Sequence, residues 1–236
     1  MIEVSDLTVR FGGVTSLDGM SLTFEQGTCG LIGPNGAGKT TFFNVLSGFV
    51  RPASGTVSAF GTDLLRMPHF RRARWGVRRT FQTEQAISEL SVYDNVSMTH
   101  SPLRGATRRA DVLAAISFTG LDVVSPYARV GSLTAGQRRL VEVARAVAGK
   151  PRLILLDEPA AGLPDEETAH LAAVIRAIPA QTGALTILVD HDMSLVSAVC
   201  ETTAVLDFGK LIASGPTAAV LRDEHVMRAY LGTAEV

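Results

Sequence analysis

Residues 28–46 place a glycine-rich loop between an apolar strand and a helix, and this order constrains the fold more than any other feature of the sequence. Thr28–Ile32 is a short, continuous apolar run typical of a buried strand, and Thr40–Leu46 has helical character. The loop that joins them reads Gly33-Pro34-Asn35-Gly36-Ala37-Gly38-Lys39-Thr40. A strand, a tight loop and a helix in this order predict one unit of a parallel α/β sheet.

The loop matches the phosphate-binding pattern G-x-x-x-x-G-K-[ST] at every specified position. Gly36 and Gly38 allow successive backbone N–H groups to turn inward around a phosphate, and the following helix directs the positive end of its dipole there. We expect Lys39 to supply a positive charge to the β- and γ-phosphates and the Thr40 hydroxyl to coordinate Mg²⁺. The residues predicted to contact the nucleotide here are Gly33, Pro34, Asn35, Gly36, Ala37, Gly38, Lys39, Thr40 and Thr41. A glycine-rich turn without function would not need the flanking strand and helix.

A second apolar strand, Leu153–Leu156, ends in two acids, Asp157 and Glu158. The carboxyl ends of parallel strands face the ligand crevice of such a sheet. We therefore expect Asp157 to hold Mg²⁺ and Glu158 to act as the general base that polarises the attacking water.

His191 follows a third apolar strand, Ala184–Asp190, and so also lies at a carboxyl end. A lone histidine is more often structural than functional. A metal site built with the flanking Asp190 and Asp192 is not expected, because no further ligands occur at a suitable spacing.

The chain of 236 residues (25.0 kDa) has a net charge of −1, which argues against a protein that coats nucleic acid, and no nucleic-acid partner is expected. Its two cysteines, Cys29 and Cys200, match no metal-ligand spacing, which favours a reducing compartment. The longest apolar runs are strand-length, and the N-terminus has no signal-peptide pattern. We expect a cytosolic protein.

The order of predicted strands and helices along the rest of the chain indicates an α/β fold with a mostly parallel sheet and a helical insertion. Before the glycine-rich loop, strands are predicted at Ile2–Val9 and Met20–Phe24, and Pro52–Val57 is predicted to turn into an edge strand. The middle of the chain predicts helices at Asp94–Thr99, Arg108–Phe118 and Gln137–Ala148. Beyond it we expect a helix at Glu166–Ile178, a strand at Leu185–Val189, a helix at Ser194–Cys200, and a hairpin of Thr203–Leu206 with Leu211–Ala213.

Five motifs in their order and spacing resemble those of an ABC-transporter ATPase subunit, over essentially the whole chain: the phosphate loop, Gln82, Leu133–Gln137, Leu153–Glu158 and His191. The resemblance implies one domain over 1–236 with the P-loop NTPase (RecA-like) fold. Its parallel-sheet core would occupy about 1–83 and 150–236, with an N-terminal antiparallel β subdomain and a helical subdomain at about 84–149.

The resemblance also implies roles for residues outside the phosphate loop. Gln82 would meet Mg²⁺, contribute to catalysis and couple the site to a membrane partner, and His191 would contact the γ-phosphate. Phe11 would stack on adenine. Leu133-Thr134-Ala135-Gly136-Gln137, the signature segment, would contact the γ-phosphate of the ATP bound by the opposite subunit through Thr134, Gly136 and Gln137.

Finer stretches resemble the ATPases of branched-chain amino acid importers: Arg79–Gln82, Asp157–Leu163, His191–Met193 and Arg228–Gly232. This implies ATP and Mg²⁺ as cofactors, and a second ATPase subunit, identical or different, as a partner. Two membrane permeases and, indirectly, a solute-binding protein would complete the assembly at the inner face of the cell membrane. The solute would be a branched-chain amino acid or a related small molecule. A soluble ABC ATPase linked to assembly or division is the alternative.

Two departures from the family pattern concern the contact between subunits. Ala135 replaces a glycine and fits only if that position does not need a positive φ. Pro164 stands where the family usually has Asp or Asn, and the acid comes one position later, so Asp165 could instead cap the following helix. A run of six arginines, either a solvated face or a contact for anionic headgroups or an acidic part of the membrane subunit, comprises Arg66, Arg71, Arg72, Arg74, Arg78 and Arg79.

Overall fold

The computed structural model describes residues 1–98 and 109–231. The strands are, in chain order, β1 (Ile2–Phe11), β2 (Val14–Phe24), β3 (Thr28–Ile32), β4 (Ser54–Ala59), β5 (Thr62–Asp63), β6 (Val77–Arg79), β7 (Leu153–Asp157), β8 (Leu185–Val189), β9 (Thr202–Asp207) and β10 (Lys210–Pro216). The helices are α1 (Lys39–Ser47), α2 (His69–Trp75), α3 (Val92–Met98), α4 (Arg109–Phe118), α5 (Ala135–Val147), α6 (Asp165–Thr182), α7 (Met193–Val199), α8 (Thr217–Val220) and α9 (Glu224–Leu231). Thr99, Arg108 and Gly232, at the ends of expected segments, lie outside the described residues.

The larger sheet has six strands in the order β10-β9-β3-β8-β7-β6, and every pair except β9–β10 is parallel. The expected α/β fold with a mostly parallel sheet is confirmed, as is the hairpin of β9 and β10. The strands β3, β7 and β8 are buried along their whole length because both faces of the sheet are covered.

Alternate side chains of β7 enter two different cores, as the period of two in a strand requires. Leu153 and Leu155 belong to the core shared with α1 and the N-terminal strands. Ile154 and Leu156 belong to the core formed with α3 to α7. The central sheet is thereby fixed from both sides, which holds the carboxyl ends of its strands in place.

The smaller sheet is antiparallel, in the order β2-β1-β4-β5. The prediction that residues 52–57 lead into an edge strand is wrong. The two-residue strand β5 returns after the turn at Phe60 and Gly61 and pairs with the far side of β4, which therefore lies between β1 and β5.

Two further details differ from the sequence-based expectations. Asp165 does not cap α6 but is its first residue, because Pro164, with φ −62° and ψ 157°, takes the extended capping position. The helix α2 and the strand β6 were not expected, since arginines interrupt the apolar pattern of both. Ala135, by contrast, is the first residue of α5 and does not have a positive φ, so alanine can replace glycine at this position.

Helices α3, α4 and α5 follow one another between β6 and β7, within the stretch where a helical insertion is expected. The boundaries of this insertion at 83/84 and 149/150 stay predictions. Among the helices of the described part, none has the length and apolar character needed to cross a membrane.

Candidate active site

Four parallel strands deliver the expected site residues to one edge of the larger sheet. β3 leads into the phosphate loop (Gly33–Thr40), and β6 leads to Gln82. β7 ends at Asp157 and Glu158, and β8 ends before His191. Because these strands are neighbours and run in the same direction, their carboxyl ends form one crevice.

The phosphate loop has the backbone that its glycines were expected to provide. Gly38 has φ 103° and precedes α1 directly, and a Cβ atom there would lie 2.6 Å from the carbonyl oxygen of Ser16. Gly36 has φ 80° with open space where a side chain would project. Both positions require glycine, the first for lack of space and both for their dihedral angles.

Lys39 lies over its own loop. Its Nζ donates hydrogen bonds to the carbonyl oxygens of Gly33 (2.6 Å) and Pro34 (2.9 Å). Burial lowers the pKa of Lys39, while the negative charges of Glu158 and Asp157 act in the opposite direction. The ammonium group is therefore held by the carbonyls of its own loop, within the electrostatic influence of both carboxylates of the site.

The two threonines after Lys39 differ in environment. Thr40 is exposed, so its hydroxyl is accessible at the start of α1. Thr41 is half-buried, and its hydroxyl lies 2.7 Å from the hydroxyl of Ser16 in β2. Of the two, Thr40 is the better placed to meet a ligand.

Asp157 forms a buried ion pair with Arg79 at the end of the neighbouring strand. The Arg79 Nη2 atom lies 2.9 Å from Asp157 Oδ2, and both side chains are 7% exposed. Burial raises the pKa of Asp157, and the hydrogen bond and charge of Arg79 oppose this rise. Arg79 also donates to Asn44 Oδ1 in α1 at 2.7 Å, so it ties the acid to the helix of the phosphate loop.

Glu158 lies at the point where Gln82 and His191 converge. The Gln82 Nε2 atom donates a 2.8 Å hydrogen bond to Glu158 Oε2, and His191 Nδ1 lies 4.0 Å from the same oxygen. Glu158 has a φ of 46°, in the left-handed region that a side chain rarely adopts, and its N–H donates to the carbonyl of Val189. Backbone strain of this kind is concentrated at functional sites.

Asp190 shapes the turn that carries His191. Its Oδ1 atom accepts hydrogen bonds from the backbone N–H groups of His191 (2.8 Å) and Asp192 (3.0 Å). Burial raises the pKa of Asp190, and these backbone hydrogen bonds and the nearby His191 lower it. The imidazole itself is 72% exposed, so its ring is accessible to a ligand.

The signature segment forms the N-terminus of α5. Thr134 caps the helix: its hydroxyl accepts from the Gln137 N–H, and the Gln137 side chain accepts from the Thr134 N–H. Thr134 Oγ1 and the Gly136 N–H both also contact the carboxylate of Glu167 in α6, each at 3.1 Å. Within the described residues, no hydrogen bond or ion pair joins these three signature residues to the phosphate loop.

The same helix holds the segment that carries Gln82. Arg139 donates to the carbonyl oxygens of Phe81 (3.3 Å) and Gln82 (3.0 Å) and pairs with the buried Glu142 at 2.8 Å. Glu142 in turn accepts from the Gln85 N–H at 2.6 Å. The position of Gln82 therefore depends on α5.

Phe11, the residue expected to stack on adenine, lies at the end of β1. It is 49% exposed, which leaves its ring accessible for stacking.

The arginine run does not form a single surface, so neither a solvated face nor a contact for anionic groups describes all six residues. Arg72 is 4% exposed and donates to the carbonyl oxygens of Val45 and Leu46 at the end of α1, whereas Arg66, Arg71 and Arg74 are exposed.

Sequence reasoning missed three residues that support the site: Arg79, Glu167 and Tyr230. Burial raises the pKa of Tyr230 to about 12, and a hydrogen bond with the backbone of Gly33 lowers it, so α9 reaches the base of the phosphate loop. Arg79 belongs to the arginine run, and both Arg79 and Tyr230 lie within stretches that indicate the subfamily, but neither feature predicts a role in the site. No sequence pattern points to Glu167, because its contact with Thr134 and Gly136 depends on how α5 and α6 pack against each other.

Comparisons with known proteins agree with this geometry. The profile described as ABC transporter matches residues 17–161, and that described as branched-chain amino acid ATP-binding cassette transporter matches residues 210–236. The chain is 35% identical to the high-affinity branched-chain amino acid transport ATP-binding protein BraF of Pseudomonas aeruginosa, over 99% of this chain and 98% of BraF. It is 33% identical to the corresponding protein LivG of Escherichia coli, over 99% and 98% of the two chains. The ADP conformation of MJ1267, an ATP-binding cassette of an ABC transporter, superposes with a TM-score of 0.88 at 26% identity, over 98% of both chains.

Proposed function

Because the chain belongs to the ABC transporter family and is an ATPase subunit of that family, we propose that it drives the import of branched-chain amino acids or a related small solute. The names of its relatives BraF and LivG support the solute class, as does the match of residues 210–236 to the branched-chain profile. A soluble ATPase linked to assembly or division would not be expected to share both features.

The observation that carries ATP hydrolysis, the step that would drive import, is the convergence of Gln82 and His191 on Oε2 of Glu158. A carboxylate held by an amide and flanked by an imidazole, beside a phosphate loop, is the arrangement that general-base attack by water on a γ-phosphate needs. Glu158 takes the proton of the attacking water. Gln82 orients the carboxylate, and His191 provides a contact for the γ-phosphate.

We assign nucleotide binding to the phosphate loop and Phe11. Lys39 exchanges its hydrogen bonds with the carbonyls of Gly33 and Pro34 for contacts with the β- and γ-phosphates. The loop N–H groups and the start of α1 add further donors and a positive dipole end. The exposed ring of Phe11 stacks on the adenine face.

The donor set of the site also fits Mg²⁺, which prefers oxygen ligands and keeps several waters. Thr40 offers a hydroxyl, Asp157 a carboxylate and Gln82 an amide oxygen. Within the described part of the chain, no group of three or more His, Cys, Asp or Glu side chains could hold a metal ion. When bound, the ion would neutralise charge that develops on the phosphates.

A complete site requires a second ATPase subunit. Thr134, Gly136 and Gln137 present a hydroxyl, a helix N-terminus and an amide, which together suit a phosphate, yet they do not contact the phosphate loop of their own chain. We therefore assign them to the γ-phosphate of the ATP held by the partner. The working unit is a dimer of ATPase subunits, identical or different.

A cluster of exposed aromatic side chains, the aromatic patch (Phe49, His69, Phe70 and Phe81), marks the contact with a membrane permease. Phe49 lies 6.0 Å from the His69 ring and 6.5 Å from the Phe81 ring, measured between centroids. Phe49 and Phe81 are 59% and 36% exposed, and Phe81 directly precedes Gln82. An exposed apolar patch of this kind indicates a protein interface. Two permeases in the membrane would place the chain at its cytoplasmic face, with the solute-binding protein on the other side.

The test combines hydrolysis with copurification. Purified chain should hydrolyse Mg-ATP with a specific activity that rises with protein concentration, because two chains complete each site. An affinity-tagged chain should copurify with two permeases from solubilised membranes and support uptake of labelled leucine, isoleucine or valine. Specific activity independent of concentration in a confirmed monomer would contradict the dimer. Recovery of soluble partners alone would contradict the importer.

A further inference from the structure

Two of the three residues assigned to the partner's γ-phosphate already donate to a carboxylate of the same chain. Thr134 Oγ1 donates to Glu167 Oε1, and the Gly136 N–H donates to Glu167 Oε2, both at 3.1 Å. Each carboxylate oxygen thus takes one donor, much as two oxygens of a phosphate would.

The fit between Glu167 and the signature segment is close. A Cβ atom on Gly136 would lie 2.5 Å from Glu167 Cδ and 2.6 Å from Oε2, so only glycine lets the carboxylate reach the backbone. The carboxylate also lies at the N-terminus of the 13-residue helix α5, where a negative charge is favoured. Glu167 therefore satisfies the same charge and hydrogen-bonding preferences that an incoming phosphate would meet.

We propose that Glu167 is a built-in competitor of the partner's γ-phosphate, and that its carboxylate must leave Thr134 and Gly136 before the nucleotide-bridged dimer can close. The proposal rests on the proposed function, since it takes the signature segment as the γ-phosphate site. Two anions cannot share these donors without strong repulsion. The contact therefore stabilises the separate subunit and raises the ATP concentration that dimer closure requires.

The same contact favours reopening once the γ-phosphate has gone. The Glu167 carboxylate can then accept hydrogen bonds from Thr134 and Gly136 again. These bonds restore the arrangement of the separate subunit. Because Arg139 of α5 holds the carbonyls of Phe81 and Gln82, the helix that Glu167 binds at one end also carries the segment beside Glu158. Movement of Glu167 away from Thr134 and Gly136 would therefore affect both the closure of the dimer and the segment that carries Gln82.

The experiment compares variants of Glu167 in a Glu158→Gln background, where hydrolysis is blocked. The dimer fraction is measured by size-exclusion chromatography with light scattering over a series of Mg-ATP concentrations. Glu167→Gln should reach half-dimerisation at an ATP concentration about tenfold lower than the Glu158→Gln parent, as expected if about one subunit in ten has the carboxylate released.

Two further variants separate this contact from general charge effects. Glu166→Gln removes the same charge from the first turn of α6, one position away and exposed, and should leave the dimerisation curve unchanged. Glu167→Asp keeps the charge but shortens the side chain, and should lower the required ATP concentration as Glu167→Gln does. Glu167→Ala replaces Glu167→Gln in the comparison if circular dichroism shows that the latter is misfolded.

The outcomes distinguish the competitor role of Glu167 from the proposed function on which it rests. If the parent dimerises with Mg-ATP but the Glu167 variants need the same or more ATP, Glu167 does not compete with the γ-phosphate, and a role in positioning the signature segment replaces the proposal. If neither the parent nor any variant dimerises, the assignment of the signature segment to the partner's nucleotide fails, and the competitor role fails with it.

Discussion

Gln82 donates a hydrogen bond of 2.8 Å from its Nε2 atom to Oε2 of Glu158, a residue 76 positions further along the chain. The amide can orient the carboxylate without taking up a proton itself, so the proposed base keeps its capacity to accept one. Under the proposed function Gln82 would have two separate tasks, since its Nε2 atom would orient the base and its amide oxygen would be free to meet the metal.

Glu158→Gln should abolish the base while preserving the shape of the site. We expect turnover to fall by about 10²–10⁴-fold, the usual contribution of a positioned general base, with ATP affinity retained. Steady-state ATP hydrolysis and equilibrium binding of a fluorescent ATP analogue measure the two quantities. Glu166→Gln, an exposed position, is the matched control. Turnover at the wild-type rate would show that another group is the base, and His191 would be tested next.

Lys39→Ala should weaken nucleotide binding while the fold stays intact. On the proposed assignment the lost group would make charge-assisted hydrogen bonds to phosphate, so we expect ATP affinity to fall by about 10–100-fold. Isothermal titration calorimetry measures the affinity, and far-UV circular dichroism checks the fold. Lys150→Ala removes an exposed lysine away from the phosphate loop and should bind as the wild type does. Equal affinity in the two variants would contradict the assignment of the phosphate loop.

Phe49→Ser should weaken the proposed attachment of the subunit to membrane permeases, because it removes an exposed ring from the aromatic patch. Copurification from solubilised membranes should fall severalfold relative to the wild type. Phe208→Ser provides the control, since Phe208 is 84% exposed and lies outside the patch. Equal recovery of both variants with the permeases would rule out the patch as the docking surface.

Continuous apolar runs made the central strands predictable. β3 and β8 match the predicted ranges Thr28–Ile32 and Leu185–Val189, and β7 extends by one residue. A strand covered on both faces is mostly apolar, and such a run is easy to recognise. β6 carries two arginines in three residues and was missed. Its polar character has a structural reason, since Arg79 is required inside the site rather than at the surface.

Contacts between distant side chains were not predictable in the same way. Strand direction indicated that Glu158 and His191 would share an edge of the sheet. Gln82 was joined to them only by the resemblance to the family, because β6 was not predicted. The pairing of Arg79 with Asp157 and of Glu167 with the signature segment depends on how separate elements meet in space. A single sequence contains no local pattern that reports such contacts.

Arg79→Ala should destabilise the fold, because it leaves Asp157 as a buried carboxylate without its partner. Both side chains of the pair are 7% exposed, and breaking such a pair costs about 3–5 kcal/mol in the free energy of unfolding. Urea unfolding followed by circular dichroism measures the change. Arg71→Ala, which removes an exposed arginine of the same run, should change the free energy of unfolding by less than about 0.5 kcal/mol. Equal stability of the two variants would show that the pair contributes nothing.

The stability of the fold should decrease in alkali through two acids, the buried Cys200 and the half-buried Tyr230. Burial raises the pKa of the Cys200 thiol from 9.0 to about 12 and that of the Tyr230 hydroxyl from 10.0 to about 12. Above its ordinary pKa, each group loses its proton in the unfolded chain but keeps it in the folded one, so rising pH favours unfolding. The loss should approach about 1.4 kcal/mol per pH unit for each group within its window.

Urea unfolding at pH 8 to 11 tests this alkaline loss with one variant for each group. Cys200→Ala should flatten the decline in the free energy of unfolding from about pH 9 upward, and Tyr230→Phe should flatten it only above about pH 10, because the ordinary pKa of each group sets where its contribution begins. Tyr230→Phe also removes the hydroxyl beside Gly33, so its ATP affinity should be measured in parallel. A decline as steep in both variants as in the wild type would show that neither group retains its proton in the folded state.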